Sequence, residues 1–194
     1  MKAKYDHTFS LTPTDCSPLF EFFYSYAQLK NLYRQGWLIR GVSEDHCESD
    51  ADHSFGVAML SYILATELRP DLDAAKAMQL GLFHEVGEIL VGDITPHDGV
   101  SKVEQMAREA AAVDEVFSNL PHGSLYASFW REYVECKTPE AQFVNRVDKI
   151  ETVLQASLYE RQGNGQLQEF FDHYTDMLNN TEMQPLLDEI LELR

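Results

Sequence analysis

Apolar residues recur every three or four positions along most of the chain, which is the spacing of the buried face of an α-helix. The first such run extends from Leu19 to Gln35. Ser17 and Pro18 precede it as a favourable N-cap and first-turn pair, and Gly36 follows it as a C-terminal stop signal. No segment shows sustained alternation of apolar and polar residues, so we expect helices and no extensive sheet.

Capping residues and prolines predict where the later helices begin and end. The second helix is expected to begin at Ala51 or Asp52, the third and fourth after the caps Asp71 and Ser101, the fifth at Pro121, and the sixth at Pro139 after the cap Thr138. Two more are expected after the glycine-containing break at 163–165, and the last of them has a capping box of Thr181 and Gln184. The third helix is expected to continue to Leu90, and residues 91–100 to form a loop. The pattern predicts a single all-α domain of about eight helices over residues 17–194, preceded by an extended arm of residues 1–16.

Composition and charge narrow the classes of protein. The chain has 194 residues, of which 44% are hydrophobic, so it can bury a substantial core without disulfides. Its 32 Asp and Glu against 15 Lys and Arg give a formal net charge of −17, which repels nucleic-acid backbones and anionic membranes. A small anionic ligand would need a metal ion or an arginine to make its site locally positive.

Cys16, Cys47 and Cys136 are far apart and form no CxxC pair, which is typical of free thiols in a reducing compartment. Residues 1–20 contain no apolar core of the length that a secretory signal needs. No apolar run approaches the roughly 20 residues of a membrane span. We therefore expect a cytoplasmic protein without membrane or nucleic-acid partners.

His84 and Glu85 place an imidazole and a carboxylate next to each other near the end of an apolar helix. Adjacent helical residues point about 100° apart, so both can reach one metal ion only if the ion lies beside the helix. Glu88 follows one turn later on the same face, and the turn at Gly92 places Asp93 at the rim. Burying several carboxylates is costly unless a cation compensates them, so this cluster predicts a metal site.

Two further ligands are expected from other helices. His53 lies in the first turn of the second helix, and Asp148 borders an apolar stripe at positions 143, 144, 147, 150 and 154. A carboxylate carried toward the core in this way is a liability without a counter-charge and a ligand with one. Two imidazoles and two carboxylates suit one Mn, Fe, Co, Ni or Zn ion better than Ca or Mg.

The order of these residues, His53, then His84 and Glu85, then Asp148, resembles the HD-domain metal phosphohydrolases. The resemblance covers about residues 30–165. Further stretches of the chain are similar to the 5′-deoxynucleotidase branch of that family: residues 36–42, 84–96, 146–151 and 154–157.

The resemblance implies a helical fold, a homodimer, one divalent transition metal and hydrolysis of deoxyribonucleoside 5′-monophosphates to nucleoside and phosphate. It also implies that Arg40 holds the phosphate, and that Glu88 and Asp93 are the acid/base and water-positioning carboxylates. Trp37 is a candidate for contact with the substrate, with core packing as the alternative.

The chain departs from the family pattern at Glu85, where the family has Asp, and in the acidic stretch 43–48, which is slightly longer. Glutamate is one methylene longer than aspartate, so either the metal shifts or the carboxylate binds it differently. Two alternatives therefore stay open. One is an HD-type hydrolase of another small phosphate ester or signalling nucleotide, and the other is a weakly active nucleotide-binding module.

Overall fold

The computed structural model describes residues 3–5, 7–95 and 98–194, without the side chain of Phe9. The described residues form eight α-helices of nine or more residues and two short ones, which confirms the predicted all-α class. They are α1 (Pro18–Tyr26), α2 (Gln35–Ile39), α3 (Asp50–Leu68), α4 (Ala74–Phe83), α5 (Glu88–Val91), α6 (Lys102–Phe117), α7 (Gly123–Glu135), α8 (Pro139–Arg161), α9 (Gln168–Leu178) and α10 (Gln184–Leu193). Two single-turn 3-10 helices accompany them, Thr8–Leu11 and Ala27–Lys30. None of the helices described is long and apolar enough to cross a lipid bilayer.

The long helix α8 is the centre of the packing. Ten of its 23 residues are buried, and it contacts α3, α4, α7, α9 and α10. Its apolar stripe includes Phe143, Val147 and Ile150, all fully buried, as the sequence pattern predicted. A second, smaller apolar cluster surrounds Val113 and Trp130, where α6 and α7 pack together beside α1 and α5. Because α8 runs through the main core, its polar residues are held firmly relative to α3 and α4.

The predicted helix Leu19–Gln35 is wrong in its second half, because the N-terminal arm packs against it. α1 ends at Tyr26, and the backbone carbonyl of Asn31 accepts a hydrogen bond from the Lys4 N–H at 2.8 Å. A continuous helix would need that carbonyl for its own backbone bonds.

Several residues of the predicted arm and of the stretch 84–96 lie outside the described part of the chain: Met1, Lys2, Asp6 and Pro96.

Two helices start at caps other than the expected ones. The Ser49 side chain accepts the Asp52 N–H, and the Asp52 carboxylate accepts the Ser49 N–H at 2.9 Å. This complete capping box makes Asp50 the first residue of α3. α4 is capped by Asp73 and not by Asp71, which is engaged in an ion pair with an arginine.

Two of the predicted N-caps form as expected, and one predicted capping box does not. The side chains of Ser101 and Thr138 each accept the backbone N–H three residues further on, at 3.2 Å, which confirms both predicted N-caps. The capping box predicted for Thr181 and Gln184 does not form, because the Thr181 hydroxyl accepts the N–H of Met183 at 3.2 Å and Oε1 of Gln184 accepts the N–H of Asn180 at 2.8 Å.

Gly81 allows α3 and α4 to approach each other closely. A Cβ at this position would lie 3.0 Å from the Cα of Ala58, so a larger residue would push the helices apart. His53 lies just over one turn before Ala58, and His84 lies about one turn after Gly81. The close approach therefore brings the two imidazoles together, with ring centroids 5.1 Å apart.

The substitution Leu80→Ala tests this packing. Leu80 is fully buried in the main core, whereas Leu82 on the same helix is 50% exposed. We expect Leu80→Ala to lower the free energy of unfolding by about 2–5 kcal/mol, because it removes buried methyl groups and leaves a cavity. The matched change Leu82→Ala should alter it by no more than about 0.5 kcal/mol. Urea unfolding followed by circular dichroism measures both values, and equal effects would contradict the packing.

Candidate metal centre

A tight turn after α4 places His84 and Glu85 side by side. The expected continuous helix to Leu90 is wrong, because α4 ends at Phe83 and α5 begins at Glu88. In between, the backbone hydrogen bonds join residues three positions apart. The Val86 N–H donates to the Phe83 carbonyl at 3.2 Å, and the Glu88 N–H donates to the Glu85 carbonyl at 3.0 Å. This turn brings Nε2 of His84 within 3.3 Å of Oε1 of Glu85.

His53 and Asp148 reach the same point from α3 and α8. Nε2 of His53 lies 3.1 Å from Oδ1 of Asp148 and 3.7 Å from Oε1 of Glu85. Ligand atoms of His53, His84 and Asp148 all lie within 4.8 Å of one another. The structure thus brings together the four side chains that the sequence suggested as metal ligands.

A second layer of contacts orients both imidazoles. Nδ1 of His53 lies 2.6 Å from Oε2 of Glu151, and Nδ1 of His84 lies 2.7 Å from the carbonyl oxygen of Gly81. Both rings therefore turn their Nε2 atoms toward the shared point, as the imidazoles of metal sites do. Glu151 can approach only because residue 56 is glycine, where a Cβ would lie 2.4 Å from Oε1 of Glu151. The Tyr133 hydroxyl donates to Oδ2 of Asp148 at 2.9 Å.

The Nε2 atom of His84 is the clearest indication of a cation. It is buried and makes no hydrogen bond within the described part of the chain, although the Glu85 carboxylate is close. Since Nδ1 faces a carbonyl oxygen and donates to it, Nε2 is the ring atom whose lone pair a cation beside that carboxylate would use. Two electron-rich groups facing each other in a buried place fit a bound divalent ion, so the residues present suit the metal.

The site also holds a proton strongly when no cation is bound. Burial and the Arg34 guanidinium lower the pKa of His53, but hydrogen bonds to Asp148 and Glu151 outweigh them and raise it to about 10. Burial raises the pKa of Asp148, yet the hydrogen bond and charge of His53 bring it below its usual value. The pKa of Glu85 is likewise well below normal despite burial, because His84 and Arg34 stabilise its charge. The cluster therefore requires a positive charge among its members.

Arg34, which the sequence analysis did not single out, lies at this centre. Its Nη1 donates to Oε1 of Glu85 at 2.6 Å. Burial works against its charge, but Glu85, Asp93 and Asp50 raise its pKa well above the usual value. Arg34 and Arg40 lie on either side of Gly36-Trp37 in the sequence, and their spacing does not indicate which of them belongs to the site. The path of α2 decides which one enters it.

Arg40 and Trp37 line the same cavity as Arg34, but each has partners of its own. Nε and Nη2 of Arg40 donate to Oε2 of Glu169 at 3.2 and 2.8 Å, and its guanidinium lies over the ring of Phe170 at 4.9 Å. Trp37 is 2% exposed, and its indole N–H donates to Glu48 at 2.7 Å. The core-packing alternative for Trp37 therefore agrees with its burial.

Three further carboxyl groups lie beside Arg34, and their pKa values are raised, whereas those of Glu85 and Asp148 are lowered. Burial and neighbouring carboxylates raise the pKa of Glu88 and Asp50 well above normal, and burial raises that of Asp93. Asp50 is fully buried, no N–H or hydroxyl of the described residues donates to its oxygens, and Glu88 is its neighbour. The Gln35 N–H donates to Asp93 at 2.6 Å. When neighbouring carboxyl groups have pKa values shifted in opposite directions, one can act as an acid and another as a base.

A cavity of about 480 Å³ adjoins the centre. Arg34, which donates to the candidate ligand Glu85, lines it together with Asp93, and its remaining wall comes mainly from α2 and α9. Its size is within the usual range for small-molecule sites, which are about 300–1,000 Å³.

Comparison with known proteins agrees with this geometry. The HD domain family matches residues 26–190. The chain therefore belongs to the HD domain family, as the order of its histidines and acids predicted. It is 38% identical to a 5′-deoxynucleotidase of Dictyostelium discoideum, over 78% of this chain and 85% of the relative. It is 33% identical to a human 5′-deoxynucleotidase, over 89% of this chain and 84% of the relative.

Solved structures show the same fold. A protein of Pyrococcus horikoshii has a TM-score of 0.76 at 34% identity, covering 90% of this chain and 99% of its own. A protein from Magnetospirillum magnetotacticum, described as a predicted metal-dependent phosphohydrolase, has a TM-score of 0.60 at 25% identity, covering 75% and 74%. These neighbours and the family support a divalent metal.

Metal binding should depend on pH through His53. With its pKa raised to about 10, His53 is protonated at neutral pH in the metal-free protein, and a metal ligand must give up that proton. We expect the affinity for Mn²⁺ to rise between about pH 6 and about pH 8, with protons released on binding. Calorimetry in two buffers of different ionisation enthalpy measures the release. A pH-independent affinity without proton release would contradict the assignment.

Proposed function

We propose that this protein is a divalent-metal-dependent phosphohydrolase that releases phosphate from deoxyribonucleoside 5′-monophosphates. The observation that carries the proposal is the meeting of His53, His84, Glu85 and Asp148 around the unpartnered Nε2 of His84, beside a cavity lined by Arg34. Relatives named 5′-deoxynucleotidases, at 38% and 33% identity over most of the chain, support the substrate class.

In this proposal four side chains hold one ion of Mn, Co, Fe, Ni or Zn: His53, His84, Glu85 and Asp148. The longer side chain of Glu85 is compatible with this role, since its Oε1 lies 3.3 Å from Nε2 of His84 and 3.7 Å from Nε2 of His53. When bound, such an ion supplies Lewis-acid chemistry, lowering the pKa of water and neutralising charge on phosphate.

Arg34 is the group that we assign to the phosphate, in place of Arg40. Its guanidinium lies against Glu85 and lines the cavity, and its planar set of N–H donors matches two oxygens of a phosphate. A phosphate entering the cavity competes with Glu85 for these donors. Arg40 is already paired with Glu169 on the α9 side.

Asp93 and Glu88 have separate tasks in the proposed reaction. Asp93 lines the cavity and is held by the Gln35 N–H, so it orients the attacking water. Burial and the neighbouring carboxylates raise the pKa of Glu88 well above its usual value, which favours its protonated form. It delivers this proton to the leaving 5′ oxygen as the phosphorus–oxygen bond breaks, a contribution typically worth about 10²–10⁴-fold in rate.

The net charge of −17 supports a small-molecule substrate over a nucleic acid, because the surface as a whole repels polyanions. We further propose that the protein works in the cytoplasm as a homodimer.

One observation favours a second candidate function. The Arg34–Glu85 ion pair engages a candidate metal ligand, which weakens metal binding if the pair persists. The protein would then be a nucleotide-binding module with little turnover. An HD-type hydrolase of another small phosphate ester or signalling nucleotide uses the same site and differs only in the substrate.

A phosphate-release assay tests the proposal. The purified protein with added Mn²⁺, Co²⁺ or Ni²⁺ should release phosphate from 5′-deoxyribonucleotides, and a chelator should abolish the release because it removes the cation that offsets the buried carboxylates. The corresponding 3′-monophosphates are the control. Nucleotide binding without release would favour the binding module, and release only from other phosphate esters would change the substrate class.

The substitution Glu88→Gln tests the proton donor. It keeps the size of the side chain and removes its transferable proton, so we expect kcat to fall by about 10²–10⁴-fold. Metal content by elemental analysis should be unchanged. Glu109→Gln is the matched control, because Glu109 also has a pKa raised by burial but is bound to the side chain of Gln105 at 2.8 Å. Wild-type kcat in Glu88→Gln would end this assignment.

A further inference from the structure

The cavity that Arg34 lines also has an aromatic wall. Phe170 and Tyr174 of α9 line it, with ring centroids 6.4 Å apart and planes within 25°. Trp37 packs behind Phe170, with centroids 4.2 Å apart. Gly36 lies against the same ring, since a Cβ there would be at ordinary contact distance, 3.5 Å, from Cζ of Phe170. The two rings, with Trp37 behind Phe170, therefore give the cavity an apolar aromatic surface on the side of α9.

Arg40 forms part of the same wall. Its guanidinium lies over the Phe170 ring at 4.9 Å, and two of its nitrogens donate to one oxygen of Glu169. The pairing holds the guanidinium plane in place. The Arg40 side chain keeps 25% of its surface exposed and lines the cavity, so it adds a second flat π-surface to that of Phe170. Planar arginine and aromatic faces are the surfaces on which nucleobases stack.

We infer that Arg40, Phe170 and Tyr174 form a nucleobase subsite, in which the base of the substrate stacks on the guanidinium and ring of the wall. This inference rests on the proposed function. With the phosphate at Arg34, the organic part of the substrate must extend along the cavity toward α9. Arg40 acts on the base, and its charge is already balanced by Glu169.

The wall selects for a flat π-face more than for hydrogen-bonding edges. Stacking tolerates every base, because each base has a π-face, and it is stronger for larger rings. We therefore expect all four 5′-deoxyribonucleotides to be accepted, with purines favoured over pyrimidines.

A base-free substrate isolates this contribution. We define the base preference as kcat/KM for deoxyadenosine 5′-monophosphate divided by kcat/KM for 2-deoxyribose 5-phosphate. Arg40→Lys keeps the charge and loses the planar guanidinium, so it should lower the preference on the order of tenfold, mainly through a higher KM for the nucleotide. Phe170→Leu keeps an apolar side chain without a π-face and should act in the same direction.

Arg108→Lys is the matched control, because Arg108 lies on the exposed face of α6 in an ion pair with Glu104. It should leave both rates unchanged. Wild-type preference in both Arg40→Lys and Phe170→Leu would overturn the inference while the proposed function stands. An equal loss on both substrates in Arg40→Lys would also overturn it, because Arg40 would then bind the phosphate.

Failure of the proposed function gives a different result. In that case the wild-type protein hydrolyses neither substrate. The preference is then measured by calorimetry with Mn²⁺ present, as the dissociation constant for 2-deoxyribose 5-phosphate divided by that for deoxyadenosine 5′-monophosphate. A ratio that falls in Arg40→Lys supports the base subsite, and an unchanged ratio overturns it.

Discussion

The arrangement of this protein depends on how buried negative charge is neutralised at one point between α3, α4 and α8. Seven carboxyl groups lie buried or half-buried around two imidazoles and one guanidinium: Glu48, Asp50, Glu85, Glu88, Asp93, Asp148 and Glu151. Removing so many charges from water is costly unless cations or protons compensate them. In the absence of metal, a proton on His53 and the charge of Arg34 offset part of this cost, and the remaining imbalance is what a divalent ion removes.

The fold brings these groups together through the same contacts that stabilise it. α8 supplies Asp148 and Glu151 from the turns that bury Val147 and Ile150 in the main core. Glycines at 56 and 81 allow Glu151 and α4 to come close to α3. The geometry of the candidate metal centre therefore shares its supports with the core, whereas the cavity beside it takes much of its lining from α9.

Sequence reasoning predicted those features that depend on local interactions. The helical class and the caps Ser101 and Thr138 follow from periodicity and short-range hydrogen bonds. The break after Tyr26 could not be predicted, because it depends on bonds from the N-terminal arm to Asn31. The turn after His84 was missed because a continuous apolar period hides it.

In the candidate site, too, some residues were predictable from the sequence and others only from the fold. The four metal-ligand candidates were recognised because their order and spacing form a pattern along the chain. Asp50 was missed, since only the fold shows that Asp52 is used for capping while Asp50 is buried. Arg34 could not be separated from Arg40, because their roles depend on the direction of α2 relative to α9.

Anomalous diffraction from a crystal grown with Mn²⁺ tests the central claim most directly. The account predicts one strong peak within coordination distance of Nε2 of His53 and His84 and of the carboxylates of Glu85 and Asp148. A map without that peak, in which Arg34 still holds Glu85 and only protein hydrogen bonds join the four side chains, would contradict it.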